Sequence, residues 1–113
     1  MIGNTNKTLP LPFTSSPGIN PRWIKFNDGT IIMGGNGSVN VPAGSGSQAS
    51  STSFTLNFPI NVKNYQIVTA VKGGNTVVIN PNEFYSNRVV MIALNWTSYS
   101  GSREYYWILF GSV

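Results

Sequence analysis

Residues 21 to 35 read PRWIKFNDGTIIMGG, and the fold turns on how this stretch is read. Apolar runs flank Asn27-Asp28-Gly29, and an Asp-Gly pair supplies the positive φ that a tight turn between antiparallel strands requires. Trp23 to Phe26 and Thr30 to Met33 are therefore expected to pair as a hairpin. The stretch carries almost no charge and no group suited to catalysis, so it reads as scaffold.

Working outward, the period of the apolar residues is two wherever it can be read. In SFTLNF, Phe54, Leu56 and Phe58 alternate with Ser53, Thr55 and Asn57, the pattern of a strand with one buried and one wet face. Further strands are expected at YQIVTAVK, NTVVIN, VVMIALNW and YYWILF. These runs are rich enough in apolar residues to be buried on both faces, or buried on one and covered by a neighbouring chain on the other. Lys72 to Asn75, KGGN, reads as another hairpin turn. Glycines and prolines recur too often for a convincing helix. The fold class is all-β, an antiparallel β-sandwich of about six to eight strands.

Two segments stand apart from this pattern. Residues 1 to 20, rich in Pro, Asn and Thr, read as an extended N-terminal arm, leaving 21 to 113 as the sandwich. Gly34 to Ser53, GGNGSVNVPAGSGSQASSTS, reads as a low-complexity connection with a short strand at Ser38 to Val41, either functional or a mobile link.

Composition removes several classes of function. The chain has 113 residues, no Cys and no His, and a charged fraction of 9%, against roughly 25% in an ordinary soluble domain. Disulfides and thiolate metal sites are excluded. The net charge of +4 reflects few acids, and the seven basic residues are scattered singly rather than clustered, so no nucleic-acid footprint is expected. The opening MIGNTNKTLPLPFT has no sustained apolar stretch, so neither a signal peptide nor a membrane span is expected there.

The acids are Asp28, Glu83 and Glu104 alone. Asp28 belongs to a turn, where Asp is favoured for conformational reasons. Glu83 and Glu104 each read as loop residues beside basic or aromatic neighbours, with nothing to mark them as a buried pair of the kind a glycosidase uses. No enzyme, metal site or cofactor is expected, since general acid/base work needs His or tuned carboxylates and hard cations need several acids. Binding remains.

Trp96, Tyr99, Tyr105, Tyr106 and Trp107 crowd into NWTSYSGSREYYW. Sugars present CH-rich faces that lie on aromatic rings, and hydroxyls that bond to amide, guanidinium and carboxylate groups. Trp96, Tyr99, Arg103 and Glu104 are read as supplying that set from one hairpin loop. For Tyr106 and Trp107 the simpler reading is that they belong to a core strand, with Tyr105 and Tyr106 divided between its faces. A second loop, NPNEFYSNR, offers Asn82, Tyr85 and Arg88. The first loop is preferred because Tyr99 and Arg103 join a flat apolar face to a planar donor fork.

WIKFNDGTIIMGG, SFTLNFPINVKNYQIVTA and the closing YYWILFGSV together resemble the C-terminal domain of bacteriophage tail fibres, in particular the gp53-like tip with an H-type-lectin-like sandwich. The resemblance spans roughly Pro21 to Val113 and rests on apolar and turn signatures, which speak to fold more than to ligand. It implies a virion protein at the tail-fibre tip, a parallel homotrimer attached to the rest of the fibre. It also implies host attachment through a bacterial cell-surface glycan, such as lipopolysaccharide, or an outer-membrane receptor. Residues 1 to 20 would be the end of the fibre shaft. Gly34 to Ser53 is longer and richer in Ser than the resemblance leads one to expect. Two other readings remain open: a structural baseplate or decoration protein, and a non-viral lectin of the same fold.

Overall fold

The computed structural model describes residues 11–73 and 77–113. These residues form eight strands: β1 (Phe13–Ser15), β2 (Arg22–Phe26), β3 (Thr30–Val41), β4 (Ser50–Asn57), β5 (Lys63–Val71), β6 (Val77–Phe84), β7 (Arg88–Asn95) and β8 (Gly101–Ser112). A five-stranded sheet in the order β1-β2-β3-β8-β5 faces a three-stranded sheet in the order β4-β7-β6. All pairings are antiparallel.

The opening hairpin forms as the sequence predicts. Trp23 pairs with Met33 and Lys25 with Ile31, and Gly29 holds φ at +93°, a region that a Cβ makes costly. At the second expected turn Gly73 holds φ at +66°; Gly74 and Asn75 lie outside the described residues. Alternation then builds the core. Ile31 and Met33 of β3, Tyr105, Trp107 and Leu109 of β8, and Val89, Met91 and Ala93 of β7 point between the sheets and are buried.

Among the described residues no strand is buried on both faces. On β7, Val90, Ile92 and Leu94 stay only half-buried on the outside. The outer face of the five-stranded sheet is divided along its length. In one half, Ile24, Ile32 and Phe110 lie in one cross-strand row and Gly34, Ile108 and Val68 in the next. Val68, Ile108 and Phe110 are all exposed. In the other half the same face carries Asn36, Ser38 and Asn40 opposite Tyr106, Glu104 and Ser102.

Gly34 to Ser53 is not the long connection expected from its composition. β3 continues to Val41 and β4 begins at Ser50, so only Pro42 to Ala49 connects them. Gly35 and Gly37 leave room for rings on the neighbouring strand. Gly35 pairs directly with Trp107 and Gly37 with Tyr105, and a Cβ on Gly37 would come within 2.6 Å of the Tyr105 hydroxyl oxygen. Bulky rings on β8 occupy the space that side chains on β3 would need.

Of the expected arm, residues 1 to 10 lie outside the described residues. Phe13–Ser15 pairs with β2 as the edge of the sheet. Beyond the start of β2, the Asn20 side chain continues the pairing. Its amide nitrogen donates to the Asn36 carbonyl at 3.1 Å and its oxygen accepts from the Asn36 N–H at 3.0 Å.

The strand directions sort the connections into two ends. At one, here the near end, lie the Asn27–Gly29 turn, the Phe58–Val62 connection, the Tyr85–Asn87 turn and Val113. Leu11 is there too, its carbonyl accepting from Asn27 Nδ2 at 3.0 Å. At the far end lie Pro42–Ala49, Lys72 and Gly73, and Trp96–Ser100.

Candidate functional site

The far-end site is organised by one buried amide. Asn95, the last residue of β7, is fully buried, and alternation from Val89, Met91 and Ala93 turns it inward. Its Nδ2 donates to the carbonyls of Pro42 and Tyr99, each at 2.9 Å. Its Oδ1 accepts from the Thr97 N–H at 2.9 Å and the Thr97 hydroxyl at 2.7 Å. Every hydrogen-bonding position of the amide is used, as burial demands.

This amide ties together loops that are far apart in sequence. The Gly44 N–H donates to the Thr97 carbonyl at 2.7 Å, and the Ser50 hydroxyl to the Pro42 carbonyl at 2.6 Å. Gly44 approaches so closely that a Cβ there would run into the Asn95 carbonyl.

On this fixed loop Tyr99 projects outward with 74% of its surface exposed. Such exposure on a held backbone suits a contact residue, because little loop order has to be gained on binding. Arg103 lies beside it, with Nη2 3.5 Å from the Tyr99 carbonyl and Nη1 donating to the Ser102 carbonyl at 3.2 Å. Trp96, the first residue after β7, is 38% exposed.

Glu104 does not join them. Arg103 and Glu104 are strand residues of β8 rather than loop residues, so alternation sends them to opposite faces. Glu104 stands on the outer face, where Lys72 Nζ approaches its carboxylate at 3.3 Å. Hydrogen bonding to Glu104 holds the Lys72 ammonium above its ordinary pKa. Both side chains are more than half exposed, so the pair adds little to stability.

The remaining candidates gather at the near end. The Arg88 guanidinium stacks over the Tyr85 ring at 4.0 Å from its centroid, and the Tyr85 hydroxyl donates to Glu83 Oε2 at 2.9 Å. That bond to a carboxylate raises the Tyr85 pKa. The Tyr65 hydroxyl meets the Tyr85 and Arg88 carbonyls at 2.9 and 3.2 Å, bracing the turn. Asn82 lies exposed where the β6–β7 register shifts between Pro81 and Glu83. Glu83, like Glu104, is an exposed strand residue and not a loop residue. Tyr99 and Arg103 thus lie at one end of the sandwich, and Asn82, Tyr85 and Arg88 toward the other.

Asn95, Thr97 and Gly44 are not among the residues that local sequence pattern singles out. A signal existed: Asn95 occupies the inward register of an otherwise apolar alternation, where an amide has to find partners.

No protein-family model and no curated protein matches this chain. Solved structures do. A C-terminal fragment of the P. aeruginosa R1 pyocin fibre is similar at 22% identity and a TM-score of 0.71, over 96% of this chain and 30% of that one. An N-truncated R1-type pyocin tail fibre is similar at the same identity and TM-score, over 96% of this chain and 93% of that one. The chain spans about a third of the first structure and nearly all of the second. At this identity the likeness shows a shared fold: an all-β arrangement of antiparallel sheets.

Proposed function

We propose that this domain is the receptor-binding tip of a tail fibre, on a phage or phage-tail-like particle. In this reading it attaches to a bacterial envelope glycan, lipopolysaccharide among them, without catalysis. The observation that carries the proposal is Tyr99, exposed beside Arg103 on a backbone held by Asn95, at the end opposite Leu11. A fibre continuing on the N-terminal side of Leu11 would leave that far end foremost. An aromatic face next to a planar donor fork can hold a sugar ring and orient its hydroxyls. The likeness of the fold to pyocin tail-fibre fragments supports the fibre assignment.

The working form is a homotrimer. Apolar rows on the outer face, with Ile24 and Ile32 half-buried and Phe110, Ile108 and Val68 exposed, lie in its near half, toward Leu11, and a contiguous apolar patch on a sheet face favours a partner chain.

Adsorption to cells tests the proposal. The domain is expected to bind a susceptible strain, and soluble polysaccharide from that strain should compete the binding away. Absence of adsorption to any of a broad panel of strains would instead favour a structural virion part. Adsorption that polysaccharide leaves intact would favour a protein receptor.

A further inference from the structure

We infer that the polar half of the outer face of the five-stranded sheet is a second saccharide subsite, one that takes a neutral or N-acetylated hexopyranose. The inference rests on the glycan-binding reading above but concerns a different surface from the Tyr99 loop. A groove of about 410 Å³ opens there, lined by Asn36, Gly37, Ser38, Glu104, Tyr105 and Tyr106, a volume within the range of about 300–1,000 Å³ for small-ligand sites.

Alternation explains its form. Gly37 and Tyr105 turn toward the core, so their backbones make the floor. Asn36 and Ser38 of β3, and Glu104 and Tyr106 of β8, stand up as the walls. Tyr106 is 46% exposed and offers a ring for the CH face of a sugar. Asn36 is oriented by its neighbour: its Oδ1 accepts from Asn20 Nδ2 at 3.2 Å, leaving its own amide hydrogens as donors. The Glu104 carboxylate has one oxygen engaged by Lys72 and a second to accept from sugar hydroxyls, with the Ser38 hydroxyl opposite.

Ring, amide, hydroxyl and carboxylate together match a polyol with an apolar face. Glu104 lines the groove and its Lys72 partner does not, so an acidic sugar would meet a carboxylate whose charge the ammonium offsets only in part. The groove begins at Tyr106, next along the same face from Ile108, where the apolar rows end.

Amide NMR titration of the ¹⁵N-labelled chain with galactose, N-acetylglucosamine and glucuronic acid tests this. Saturable shifts are expected at Asn36, Gly37, Ser38 and Tyr106 with the first two sugars, and weaker ones with glucuronic acid. Tyr106→Ala, and Glu104→Gln, which keeps the side-chain shape, should each weaken that response by about tenfold while leaving the Tyr99 response unchanged. Shifts confined to the Tyr99 and Arg103 loop would overturn the inference and leave the glycan reading standing. Shifts at neither surface would also overturn it, and the polysaccharide competition then decides the glycan reading separately.

Discussion

The side-chain amide of Asn95 holds the backbone carbonyl of Tyr99 at 2.9 Å from inside the sandwich, so the most exposed ring at the far end is positioned by a fully buried group. Asn95→Ala would leave the Pro42 and Tyr99 carbonyls and the Thr97 N–H without this partner. A loss of about 1–3 kcal/mol is expected, read by thermal or denaturant unfolding. Asn95→Asp should be at least as damaging, because it sets a carboxylate oxygen against two carbonyls. Unchanged stability in both variants would mean that the loops are held by something else.

A second expectation concerns Gly37. Replacing a strand glycine by alanine ordinarily removes chain entropy from the unfolded state and stabilises. Here the new Cβ meets the Tyr105 phenol at 2.6 to 2.8 Å, and Tyr105 is buried. Gly37→Ala should therefore destabilise, by about 1–3 kcal/mol as overpacking does. The cost should shrink in a Tyr105→Leu background, which a double-mutant cycle measures. Equal cost in both backgrounds would show that the ring is not what excludes a side chain.

That pair also shows what the sequence made legible. Period-two alternation was plain in SFTLNF and around Asn27-Asp28-Gly29, and those strands formed as read. GGNGS reads as a break because glycine usually weakens a strand; its partner rings lie about seventy positions downstream (Gly37 opposite Tyr105), beyond local pattern. The site was legible in part for the same reason. Tyr99 is a local loop feature, and its exposure followed from flanking Ser and Gly. The division of Arg103 from Glu104 required knowing that β8 begins at Gly101. Which loops share an end depended on β3–β8 and β5–β8 pairing, a property of topology.

For assembly, the parent chain is expected to be a trimer in solution. Phe110→Lys and Ile108→Lys, both on exposed positions of the outer face, should yield folded monomers with little loss of intrinsic sheet structure. Light scattering and circular dichroism together decide it. A parent that is monomeric at micromolar concentration, or lysine variants that keep the parent's mass, would contradict the assignment of that face to a partner copy.

The most direct measurement compares adsorption to a susceptible strain for variants at the two ends of the sandwich. Tyr99→Ala and Arg103→Ala should each weaken binding by about 1–3 kcal/mol with a melting temperature like the parent's, while Tyr85→Ala and Arg88→Ala leave adsorption unchanged. If the Tyr99 and Arg103 variants bind as the parent does, and loss of Tyr85 or Arg88 abolishes adsorption, the receptor is met at the end where Leu11 lies, and the far-end site is contradicted.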